Sequence, residues 1–101
     1  MDSIIYHVTT QKEWAIAQVS GYYKASSLAI EGFIHCSTAE QVNGVLERYF
    51  KDQTNLIKLV IDTTKLTHEL KYELAPSINE YFPHVYGEIN VNAIIDIVNM
   101  D

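Results

Sequence analysis

One helical stripe stands in a chain otherwise written as short strand-forming runs, and that asymmetry is what most restricts the fold. After Ser37-Thr38-Ala39-Glu40, which has capping-box spacing, the apolar residues Val42, Val45, Leu46, Tyr49 and Phe50 recur at helical intervals. This predicts one long helix over about Ser37 to Lys51. Ile4 to Val8 reads as a first strand, followed by a capping box at Thr10 to Glu13 and a short helix from Trp14 to Val19, closed by Gly21. Tyr22-Tyr23-Lys24 is β-prone. Ser26 or Ser27 can cap a single turn that Gly32 ends, and Phe33 to Cys36 follows as a strand.

The second half is different. Leu56 to Ile61 is apolar nearly throughout, which predicts a central strand broken by Asp62-Thr63-Thr64. Leu70 to Leu74 alternates, with Leu70, Tyr72 and Leu74 inward and Glu73 outward. Pro76 to Pro83 reads as a loop, and Val91 to Val98 as a last strand or two. Helices early and strands late mean α+β and not a repeated βαβ pattern. The expected core is Trp14, Val42, Leu46, Phe50, Ile57, Leu59, Ile61 and Ile95.

Composition narrows the partners. A chain of 101 residues with 48% hydrophobic and 20% charged residues is expected to form one globular domain. It carries a net charge of −6, its single arginine is Arg48, and its lysines are dispersed. Nucleic acid is therefore not an expected partner, because phosphate tracking needs clustered Lys and Arg. A small-molecule ligand is. No apolar stretch reaches the roughly 20 residues of a spanning helix. With Cys36 as the lone cysteine, nothing suggests an oxidising compartment, so the expected location is cytoplasmic with no membrane association. Oligomeric state is not legible.

Chemistry gathers around three histidines: Tyr6-His7-Val8-Thr9-Thr10, Gly32-Phe33-Ile34-His35-Cys36-Ser37-Thr38 and Phe82-Pro83-His84-Val85-Tyr86-Gly87. His7 and His35 end apolar runs just before helix starts, where side chains project into ligand clefts. Each is followed by hydroxyls, although Thr10 and Ser37 have a competing use as helix caps. His68 lacks such neighbours and is expected in solvent. Three chemistries fit the set. Zinc ligation has against it the absence of any close-spaced pair, so no metal is expected. A Cys36–histidine nucleophile has against it the strand alternation that sends His35 and Cys36 to opposite faces. The third is a cleft for a ribose-bearing ligand, with imidazoles and hydroxyls on sugar hydroxyls and tyrosines stacked on a flat ring.

Ile5-Tyr6-His7-Val8-Thr9, Trp14, Gly21-Tyr22-Tyr23, Ser27-Leu28, Gly32 to Ser37, Gln41-Val42, Glu73 and Phe82 to Gly87 together resemble the bacterial family known as domain of unknown function 952. The resemblance covers essentially the whole chain. That family looks like a minimal ADP-ribosyltransferase-fold domain, which implies two small mixed or antiparallel sheets around a cleft, with one long and one or two short helices. It also implies NAD or a related nucleotide as ligand, and cleavage or transfer at the nicotinamide–ribosyl bond. His7, His35 and Glu73 then take catalytic positions, with Glu88 in reserve, and Thr9, Ser27, Ser37, His84 and Tyr86 contact the ligand. Ser27 is expected near the floor, His84 and Tyr86 at the rim. Arg48 is expected far from the cleft, so a pyrophosphate would rest on backbone amides at the Ser27 or Ser37 helix starts. The alternative on the same fold is a non-catalytic small-ligand or protein-binding module.

Overall fold

In the computed structural model, which describes residues 2–100, strand pairing is entirely antiparallel. Strands β1 (Ile4–Thr10), β4 (Leu56–Asp62) and β8 (Ile94–Asn99) form one sheet in the order β1-β4-β8. Strands β3 (Ile34–His35), β6 (Glu80–Val85) and β5 (Leu70–Ala75) form a second, and β2 (Tyr22–Tyr23) pairs with β7 (Ile89–Asn90) in a short ladder. The class is α+β as expected, but with three sheets among the described residues where the family resemblance implied two. The apolar run in β4 takes the middle of its sheet, where both edges are paired and the face carrying Ile57, Leu59 and Ile61 is buried, while Lys58 and Val60 on the other face are partly exposed. Its end is marked by Asp62, whose carboxylate accepts from the Thr64 amide at 2.9 Å and opens a turn of 3₁₀ helix.

The helices depart from expectation in length. α1 (Gln11–Ser20) is the longest among the described residues, and Thr10 caps it by accepting from the Glu13 amide at 3.1 Å. The expected long helix is α3 (Val42–Tyr49), entered through a 3₁₀ turn at Ala39–Gln41. Its capping box lies one residue later than the spacing at Ser37 suggested: the Gln41 side chain accepts from the Thr38 amide at 3.0 Å. Ser37 is unavailable as a cap because its backbone is already paired with Tyr6. α2 (Ser26–Glu31) is capped by Ala25 and not by either serine, and the Ser27 hydroxyl instead donates to the Phe33 carbonyl at 2.9 Å.

The segment expected as a loop, Pro76 to Pro83, is half strand. Pro83 sits inside β6, the middle strand of its sheet, where proline is disfavoured because it cannot donate to a ladder. The register explains the tolerance. Ile34 faces Val85 and His35 faces His84, so Cys36 falls opposite Pro83. The Cys36 amide donates to the Pro83 carbonyl at 2.9 Å, and the reciprocal bond is the one that proline cannot make. The missing donor therefore falls where β3 ends.

The core is built from Ile5, Ile34, Leu59, Ile61, Val85 and Ile89, all fully buried, with Ile57, Cys36 and Tyr23 beside them. A satellite cluster of Val8, Val42 and Leu56 holds α3 against the first sheet. Trp14, Leu46 and Phe50 are only partly buried, and Tyr49 is exposed, so the helical stripe is half core and half cleft wall. Leu74, expected inward, is exposed. Ile95 is a plain correction: it is 48% exposed. Val60 pairs with Asp96 and Ile61 with Ile94, so Ile95 is the extra residue of a bulge and turns outward.

Leu59→Ala should lower unfolding free energy by about 2–5 kcal/mol, since it empties a fully enclosed site. Ile95→Ala should stay within about 1 kcal/mol. Urea unfolding of both variants checks this, and equal losses would mean the bulge is misplaced.

Candidate functional site

The backbone of residues 34–37 joins the two larger sheets, and the site grows from that junction. Cys36 donates toward β6, while Ser37 and Tyr6 exchange both backbone bonds, at 2.7 and 2.8 Å, with β1. His35 lies between these, at a non-hydrogen-bonded position of the β3–β6 ladder, so its carbonyl points away from β6. His7 Nδ1 lies 2.5 Å from that carbonyl. His35, at the end of β3, and His7 are thus neighbours through a backbone bond, and both line one cavity of about 500 Å³. His7 was expected at a strand end but lies in the middle of β1, because the pairing with β4 continues to Thr10.

Hydrogen-bond accounting determines the state of His7. A carbonyl only accepts, so His7 carries its proton on Nδ1 and offers a lone pair at Nε2. Tyr23 Oη lies 2.8 Å from Nε2 and 2.9 Å from Thr9 Oγ1. With His7 neutral, the single tyrosine proton goes to the imidazole, and the contact with Thr9 is made by the threonine's proton. Burial pulls the His7 pKa down to about 4; the bond to the His35 carbonyl opposes this and the His35 charge adds to it. Burial likewise raises Tyr23 to about 12, so its hydroxyl keeps its proton. The result is a chain of bonds running Thr9, Tyr23, His7, His35 carbonyl, with both imidazole nitrogens occupied.

His35 is the exposed member. Its Nε2 lies 2.9 Å from Glu31 Oε1, and Glu31 also lines the cavity. Gly32 makes this pairing possible. It ends α2 in the left-handed conformation, φ 87°, reversing the chain so that Glu31 and His35 face each other across the turn. Glu13, from the first turn of α1, is a second lining carboxylate. Val45, Tyr49, Phe50, Ile78 and Phe82 form an apolar and aromatic wall. Cys36 also lines the cavity, but burial pushes its thiol pKa up, which removes the thiolate a nucleophile needs.

Of the residues singled out from sequence, His7, Thr9, Ser27, His35 and Ser37 meet at this cavity, with the Ser27 hydroxyl tied to Phe33 and Ser37 buried. Glu73, His84 and Tyr86 do not line it. His84 is buried in β6, stacked on Phe33 with ring centres 4.1 Å apart and set edge-on to His35 at 4.9 Å. Its Nδ1 lies 2.7 Å from Glu73, which also accepts from the Tyr86 hydroxyl at 2.6 Å. The Tyr86 bond and then the His84 bond hold the Glu73 carboxyl below its usual range, and Glu73 raises the Tyr86 hydroxyl in turn. These three form a cluster beside the cleft and not its rim, because residues 82–85 are strand. Glu88 pairs instead with Lys24 at 3.5 Å. His68 is not free in solvent: it packs over Gly87, at φ 157°, where a Cβ would overlap its ring. Arg48 is not among the lining residues; its guanidinium lies 5.8 Å from the centre of the neighbouring Tyr49 ring. Among the described residues, no three His, Cys, Asp or Glu side chains converge as metal ligands.

Sequence reasoning missed Glu31 and Glu13. The signal for Glu31 was its spacing of four from His35 across a helix-ending glycine. That spacing means proximity only if the turn folds back.

The state of His7 makes a pH prediction. Its folded pKa lies below the unfolded value of 6.5, so the unfolded chain takes up the proton first as pH falls. Stability contributed by this group is complete above about pH 6.5 and is lost as pH falls toward 4, by roughly 2–3 kcal/mol. Urea unfolding at several pH values should show a shallower acid loss in His7→Gln than in the parent. Parallel curves would show that His7 is not held neutral.

The chain is similar to protein CC0527 from Caulobacter crescentus. Its X-ray crystal structure is 28% identical in sequence, matches with a TM-score of 0.88 and spans 97% of this chain and 86% of that one. A crystal structure of a double mutant of that protein (27% identical, TM-score 0.87) covers the same shares. Its solution NMR structure (28% identical, TM-score 0.83) covers 99% of this chain and 86% of that one. Comparison with curated proteins finds no match. Residues 8–97 match the family described as a protein of unknown function (DUF952), and the chain belongs to that family.

Proposed function

We propose that the cleft binds a nucleotide-type ligand, NAD being the first candidate, and acts at the nicotinamide–ribosyl bond in the manner of an ADP-ribosyltransferase-like domain. The observation that carries this reading is the convergence of His7 and His35 on one cavity with a carboxylate bonded to His35. A volume of about 500 Å³ is within the range of small-ligand sites and suits a ring and a ribose, leaving the rest of a dinucleotide outside. Thr9 and Ser27 line the cavity with oxygens whose protons are committed to Tyr23 and Phe33 and which are left to accept from ribose hydroxyls. Ser37 lies buried beside them, and Tyr49, Phe50 and Phe82 offer rings to a flat ligand.

NAD supplies a labile C1′–N bond. The residues divide the remaining work. His35, oriented by Glu31, accepts the proton of the attacking acceptor. His7 is a fixed neutral dipole with no free nitrogen, so it positions the His35 backbone and does not exchange protons with ligand. Glu31 takes the carboxylate place that the family resemblance assigned to Glu73. Phosphates find a cation just outside the lining, at Arg48 beside the Tyr49 ring.

One observation favours a second reading, a non-catalytic small-ligand module. The saturation of His7 leaves a single acid–base pair in the cleft, enough to bind a ligand without transforming it. Thermal shift with NAD and ADP-ribose, coupled to chromatography for free nicotinamide, separates the two. A ligand at about 100 times its dissociation constant stabilises by about 2.7 kcal/mol, a shift of roughly 10 °C in a domain of this size. A shift with nicotinamide release that His35→Ala abolishes supports the transferase reading. A shift without release leaves the binding module, and no shift with either nucleotide ends the nucleotide reading.

A further inference from the structure

Nothing on the cavity lining carries a fixed positive charge: neither lysine nor arginine is among the lining residues, while Glu13 and Glu31 both are. His7 is held neutral by burial. His35 cancels at most one carboxylate, so the lining is net negative whichever form His35 takes. The chain as a whole adds to this with its charge of −6. The lining also carries the aromatic rings of Tyr49, Phe50 and Phe82, and Arg48 sits 5.8 Å from the centre of the Tyr49 ring.

We infer that the cleft selects a planar organic cation over a neutral or anionic ring of the same shape, with Glu31 as the principal counter-charge. The inference rests on the nucleotide reading of the same cavity and names the charge of the ring that enters it. Three physical effects act together. A carboxylate in a partly enclosed cavity attracts a cation more strongly than it does in open solvent, because the walls exclude water. Aromatic faces attract a cation through their quadrupole. An anion meets two carboxylates, of which His35 can offset only one. Glu31 is the better placed of the two, since His35 and the end of α2 hold its side chain at the lining. Phosphate groups are disfavoured within the cavity by the same charges, so a ligand that carries them must leave them outside.

Three probes of nearly one shape test this: the 1-methylnicotinamide cation, neutral nicotinamide and anionic nicotinate, each titrated into the protein by ¹H–¹⁵N NMR. The cation is expected to bind at least about tenfold more tightly than nicotinamide, nicotinate more weakly still, and the preference should shrink as salt rises. Glu31→Gln should remove most of the preference by weakening the cation far more than nicotinamide. Glu31 is half exposed at a helix end, so the variant's own spectrum reports an intact fold. Equal affinity for the three probes, no binding of the cation at millimolar concentration, or equal weakening of cation and nicotinamide in Glu31→Gln would each overturn the inference. NAD titrated in parallel separates the two readings. NAD binding without a cation preference leaves the nucleotide reading standing and sinks this one. A cation preference without NAD binding does the reverse.

Discussion

Residues 34–37 pair with one sheet through Cys36 and with the other through Ser37, and the rest of the molecule is arranged around that crossing. Adjacent peptide groups in an extended chain point to opposite sides, so one short segment can donate toward β6 and exchange bonds with β1. Two sheets that would otherwise meet only through side chains become joined by backbone bonds. The join leaves the His35 carbonyl facing His7, and it places Ile34 and Cys36 in the shared core. Pro83 ends the β3 ladder at this point by withholding a donor, which frees the chain to turn from one sheet to the next.

The electrostatics of the cleft follow from this geometry. A histidine whose Nδ1 is bound to a carbonyl and whose Nε2 receives a tyrosine proton has no use for a second proton, and burial penalises acquiring one. The chain of buried Thr9 and Tyr23 and half-buried His7 is therefore a neutral scaffold. Chemistry passes to the exposed neighbour, where Glu31 and His35 meet across Gly32. His84, anchored by Glu73 and stacked on Phe33, lies behind His35 and limits where that ring can go. Two histidine–carboxylate pairs thus stand side by side, one facing the cavity and one closed off from it.

Much of this was legible from residue order. The Thr10 cap, the glycine-ended helices, the central β4 run and the strand-end position of His35 all follow from local rules, and each holds because no tertiary contact competes with it. His7 reads as a strand end but lies in the middle of β1, because pairing with β4 carries the strand on to Thr10. The failures share one cause. Pro83 reads as loop because its lost donor seems costly, until a partner strand is found that ends at the same residue. Ile95 reads as core because alternation is assumed continuous, and a bulge against Val60 and Ile61 interrupts it. Ser27 and Ser37 read as caps by residue type, but the Phe33 carbonyl and the Tyr6 backbone claim them. Glu73 reads as outward and available, yet two side chains from β6 and the residue beyond it hold it.

What the sequence determined by itself was therefore the set of parts: an α+β chain, its turns and caps, and the histidines that carry its chemistry. Those depend on interactions within a few residues, whose geometry the peptide backbone prescribes. Which carboxylate joins His35, which histidine is neutral, and which wall closes the cleft were decided only in the folded molecule. The last two are outcomes of pairing between segments tens of residues apart. The first needs the chain to fold back at Gly32 so that Glu31 meets His35, while the β5–β6 register ties Glu73 to His84 outside the cavity, and local sequence contains no record of that register.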